Sequence, residues 1–109
     1  MENEPSTSSG NNSQTGKLTL LRAVELGEYE PKILSHFPEW SQLSRHAQFQ
    51  LVRKGLSTRN TQLQSTWAEI NNQSNFSSKP QLQTALRNIE QQIAELRFEE
   101  DRLFVEFTK

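Results

Sequence analysis

Residues 80–109 read PQLQTALRNIEQQIAELRFEEDRLFVEFTK. Within them Leu82, Leu86, Ile89, Ile93, Leu96, Glu100, Leu103 and Phe107 recur at alternating spacings of four and three. This is a heptad seam in which one position is given to a carboxylate. It predicts a long amphipathic helix over about 79–107 that must bury a narrow stripe against another helix. Pro80 suits the first turn, where its missing N–H is not needed, and Ser77 or Ser78 is the expected cap.

Upstream, Asn71-Asn72-Gln73-Ser74-Asn75-Phe76-Ser77 is a turn-rich connector. Before it, a second long helix is expected over about 41–71, interrupted only by Gly55. That glycine costs roughly 1 kcal/mol relative to alanine. Phe49, Val52, Leu56, Leu63, Trp67 and Ile70 share one face of this helix. A single register pairs Ile70 with Leu82, Leu63 with Ile89, Leu56 with Leu96 and Phe49 with Leu103. A short connector makes two such helices antiparallel neighbours.

The remaining sequence adds a head to this stalk. Leu18–Leu26 reads as a short helix with Leu18, Leu21, Val24 and Leu26 as its apolar contacts and Gly27 as its stop. Pro31–Phe37 reads as another, with Ile33, Leu34 and Phe37 inward, closed by Phe37-Pro38. Trp40, Leu43, Ala47 and Leu51 form a second apolar face at the start of the first long helix. Phe98 and Val105 do the same on the back of the last helix. The two short helices are the expected cover for both. The predicted fold is therefore all-α: an antiparallel helical hairpin of two long helices with two short N-terminal helices packed at its open end, one domain over residues 17–109. Residues 1–16 have no apolar side chain after Met1 and are expected to be a disordered tail.

Composition narrows the function classes. Of 109 residues 32% are hydrophobic and none is cysteine, so thiolate metal sites and disulfides are unavailable. No secretory leader and no apolar run of membrane-spanning length is visible, and a cytoplasmic protein is the expectation. Residues 32–79 carry six basic and two acidic side chains, while residues 80–109 carry four basic and six acidic. The main reading is attraction between the middle and last thirds. A concentrated basic face, which nucleic-acid binding usually needs, is absent because Arg45, Arg53, Lys54 and Arg59 are spread around the helix.

His36 and His46 are the only histidines, ten residues apart with no carboxylate at ligand spacing, so no metal, cofactor or catalytic residue is assigned. Glu100 stands where the seam expects an aliphatic residue. It reads either as an edge carboxylate paired with Arg53 or Lys54, or as a register-setting polar residue with Arg53 beside it. Arg59 breaks the opposite stripe and is expected at the seam edge near Glu90 or Ile93. Phe37 and Trp40, clustered with Phe49 around Pro38, read as head core or as anchors for a partner. Phe76 and Phe98 complete the candidate partner-binding set.

The stretch Leu-Ser-His-Phe-Pro-Glu-Trp-Ser-Gln-Leu-Ser-Arg-His-Ala-Gln-Phe-Gln, residues 34–50, resembles small uncharacterised helical proteins of cyanobacteria. The resemblance covers about 20 residues and implies neither a function nor a site residue. The residues themselves point to a non-enzymatic interaction or regulatory protein that works through helix-mediated association with another protein, with a homodimer expected. The competing reading is a small nucleic-acid-associated regulator that uses the basic middle segment.

Overall fold

The computed structural model describes residues 18–73 and 79–109. They are mostly helical, with no strand among them. In chain order they form α1 (Leu20–Glu25), α2 (Pro31–Leu34), a 3-10 turn (Trp40–Gln42), α3 (Arg45–Asn71) and α4 (Pro80–Thr108). The expected tail and the middle of the expected connector, Phe76 included, lie outside the described residues.

α1 is short because both of its ends are chemically fixed. The Thr19 hydroxyl accepts from the Arg22 N–H at 3.1 Å and caps the start. Gly27, at φ 103°, ends it. The Gly27 N–H donates to the Val24 carbonyl and the Glu28 N–H to the Ala23 carbonyl, at 2.9 and 3.0 Å, which is the Schellman pattern. Only one stripe fits on six residues, and Leu20, Ala23 and Val24 provide it. Leu18, Leu21 and Leu26, expected among the inward contacts, face solvent instead. Gly27→Ala should lower stability by about 1–2 kcal/mol, since the left-handed backbone penalises a Cβ. A urea titration against the unaltered chain reads this directly.

α2 opens at Pro31 as expected but closes at Leu34, short of Phe37. Leu34 is its one buried residue, and Ile33 is exposed. The start of α3 also differs from the sequence reading. Trp40–Gln42 is a separate turn, and the long helix begins at Arg45 rather than near Ser41. Leu43 is extended, and the Ser44 hydroxyl accepts from the Ala47 N–H at 3.1 Å, capping the helix that begins at Arg45. Gln48 fastens the turn to the helix by donating from Nε2 to the Trp40 carbonyl at 2.9 Å.

Gly55 is where two parts of the chain meet. A Cβ built on it would lie 2.1 Å from the Glu28 carbonyl oxygen and 3.1 Å from the Tyr29 Cα. The segment Glu28–Glu30 therefore crosses α3 as a strap at the one position without a side chain. What looks in sequence like a weak point in a helix is the seat of this crossing.

α3 and α4 lie against each other. Arg45 donates from Nη2 to the Glu106 carbonyl at 2.6 Å, with its guanidinium 4.9 Å over the Phe107 ring. Phe49 stacks on Phe107 at 5.2 Å and meets Phe104 at 6.2 Å. Trp67 Nε1 donates to Glu90 at 3.0 Å. Leu63 borders one cavity with Gln92 and Leu96. α4 starts at Pro80 with Lys79 at the cap position and no side-chain capping bond there, while Ser77 and Ser78 lie outside the described residues.

The core is concentrated where α1 and α2 join the long helices. It comprises Leu20, Ala23, Val24, Leu34, Trp40, Val52, Leu56, Leu63, Leu96 and Leu103. Beyond Leu63 the stripe residues Trp67, Ile70, Leu82, Leu86 and Ile89 are only half-buried. Two helices alone leave the edges of their stripes wet, and the short helices reach only one end.

Candidate functional site

The candidate features among the described residues lie on the surface, in open depressions beside α4. Among the described residues no group of three or more His, Asp or Glu side chains is placed to hold a metal ion. His36 and His46 are both exposed. No helix of the described residues is long and apolar enough to cross a membrane.

The first feature is a groove at the seam defect. Glu100 does not enter the seam and is exposed. Its absence opens a depression of about 340 Å³ between α3 and α4, floored by Leu56 and walled by Phe49 and Phe104. Arg53, Ser57, Glu100 and Asp101 form its rim. Glu100 and Arg53 thus face one groove, but no ion pair joins Glu100 to Arg53 or Lys54 among the described residues. Arg53 instead places its guanidinium 5.8 Å over the Phe49 ring. Phe104 remains 58% exposed. Phe104 lies off the heptad, so the seam pattern does not single it out. Its position four residues after Glu100 was the available signal, since that spacing puts it beside the gap.

The second feature is the opposite flank of α4. Phe98 is 75% and Val105 56% exposed, so the short helices do not cover them as expected. The strap crosses α3 at Gly55, and Glu30 reaches α4 at Arg102. Arg102 donates from Nη2 to Glu30 at 3.0 Å and to Glu99 at 2.7 Å, and lies 3.7 Å from Glu106. The Arg102 hydrogen bond holds the Glu99 carboxyl below the usual carboxylate range. Burial pushes the Tyr29 hydroxyl up, and the Glu99 charge adds to that.

Tyr29, Arg59, Leu63, Gln92, Glu95, Leu96, Phe98 and Glu99 line a cavity of about 450 Å³ on this flank. Arg59 was expected near Glu90 or Ile93. It borders this cavity with Gln92 and Glu95, and its Nε lies 3.2 Å from where a Gly27 Cβ would be. That Nε is buried and without a hydrogen-bond partner among the described residues.

The remaining candidates divide. Trp40 is 9% exposed and belongs to the core, so it presents little surface to a partner. Phe37 is half-buried against the core and edges a small depression with Leu18, Leu26 and Ile33. Phe76 lies outside the described residues. Compared with protein-family models, curated proteins and solved structures, the chain matches none.

Proposed function

We propose that this chain is a non-enzymatic interaction protein, an antiparallel helical hairpin with a short-helix head, that associates through its helices and forms a homodimer across the Phe104 groove. The arrangement is supported by where the long helices touch. The Arg45 end of α3 meets Phe107, and Trp67, near its other end, meets Glu90. The carrying observation for association is the groove itself. An aromatic more than half exposed stands over an apolar floor at the one seam position that the chain leaves unfilled.

A second hairpin laid side by side would turn two helices into a four-helix bundle and cover the wet stripe edges. Burial of a Phe side chain is worth roughly 1.5–3 kcal/mol, and a two-fold axis applies the gain twice. Glu100 and Arg53 on the rim would then fix the register between copies. Light scattering tests the reading. The intact chain is expected to have twice the mass of one chain, and Phe104→Asp to have the mass of one with its helical circular dichroism retained. A single-chain mass for the unaltered protein at high concentration would refute it.

A further inference from the structure

We propose that the outer flank of α4, from Glu90 to Glu106, is a docking site for a basic amphipathic helix of another protein. This rests on the reading of the chain as an interaction protein but centres on a different flank, with Asp101 shared between this flank and the rim of the Phe104 groove. The cavity beside Phe98 shares no lining residue with the Phe104 groove.

Two apolar anchors define the face. Phe98 and Val105 are seven residues apart, two helical turns or about 10.5 Å, and lie on one stripe. A helix lying along α4 would meet them with side chains of matching spacing. Beside Phe98 the cavity of about 450 Å³ has Leu63 and Leu96 as its floor and Tyr29 as its far wall. An aliphatic side chain of the partner fits there. Beside Val105 a second, shallower depression of about 460 Å³ runs to Lys109.

Charge selects the partner. Residues 90–106 hold six carboxylates and two arginines, and Arg59 of α3 adds one cation at the cavity, so the acidic excess remains. Arg102 is already shared by Glu30, Glu99 and Glu106. Glu95 and Asp101 have no cation within 4.0 Å among the described residues. At 100° per residue they flank the Phe98 stripe by about 60° on either side. Lysines or arginines on both edges of an apolar stripe would meet them, whereas phosphates or anionic lipids would be repelled.

No surface among the described residues supplies that combination. Exposed large hydrophobic residues among the described residues lie on 18–33 and on α4. The former segment carries Glu25, Glu28 and Glu30 against Arg22 and Lys32. α3 holds the basic residues but no exposed large hydrophobic residue. Residues 1–17 contain one lysine and no apolar residue after Met1. The occupant is therefore a different protein rather than a second copy.

The test uses the intact protein and a labelled amphipathic peptide of about 20 residues, with Leu at helical spacing and Lys on both flanks. A twin carries Glu for each Lys. Fluorescence anisotropy should show the Lys peptide binding at least about tenfold tighter than its twin. Phe98→Ser with Val105→Ser should weaken it by about tenfold or more without loss of helical circular dichroism. Glu95→Lys with Asp101→Lys should reverse the preference, so that the Glu twin binds. Equal binding of both peptides, or a preference that charge reversal does not move, overturns the proposal. So does Phe98→Ser acting mainly by dissociating the dimer. Absent peptide binding beside an intact Phe104-dependent dimer defeats this proposal alone. The converse result defeats the dimer reading alone.

Discussion

Leu103→Ala is expected to cost about 2–5 kcal/mol, a large share of the 5–15 kcal/mol that usually separates folded from unfolded chains of this kind. Leu103 is 0% exposed and sits where α4 meets the core formed with α1 and α2. Truncation removes apolar contact from both sides and leaves a cavity that neighbours held on separate helices close only in part. Phe98→Ala, five residues earlier, removes a larger side chain that is 75% exposed. It should change stability by less than about 0.5 kcal/mol. Denaturant midpoints for the two variants therefore separate core from surface on one helix. Near-equal losses would mean that Phe98 is covered within the chain.

Gly55→Ala is expected to destabilise by about 1–3 kcal/mol, the range for forcing an extra methyl group into filled space. The sign decides the matter. Helix propensity alone gives the opposite result, a gain of about 1 kcal/mol, because alanine is the better helix former. The clash wins because the atom 2.1 Å away is a backbone carbonyl and not the tip of a flexible side chain. Nor can the strap retreat easily. Gly27 pins one end through the Schellman pattern, and Glu30, bonded to Arg102, opens α2 at the other. Ser65→Ala, exposed on the same helix, is the control and should be neutral or slightly stabilising. A stabilised Gly55→Ala would remove the strap from α3.

The long helices were legible because their information is local and periodic. Every seam residue from Leu82 to Phe107 lies on α4, and Leu96 and Leu103 reach the core as the heptad requires. Short segments were less legible because their buried sides are chosen by neighbours. Nothing local in Leu18–Leu26 says that Leu20 and Ala23 turn inward while Leu21 and Leu26 stay wet. The start of α3 was misplaced because Trp40-Ser41-Gln42 has helical character in sequence, and only the extended Leu43 with its Ser44 cap separates it.

Arg59 and Gly55 were readable as breaks in a pattern but not as parts of a crossing, since the strap that explains them is about 30 residues away in sequence. Glu100 was found as a seam defect. Its consequence, an exposed Phe104, required knowing that the carboxylate turns outward and leaves its place open.

The most direct measurement of helix-mediated association is site-specific photocrosslinking in the pure intact protein, with a photoreactive phenylalanine placed once at Phe104 and once at Phe98. A covalent dimer is expected from position 104, with its crosslink on Phe49–Leu56 or α4 of the second copy, and none from position 98. No dimer from position 104, or an equal yield from both positions, would contradict the account.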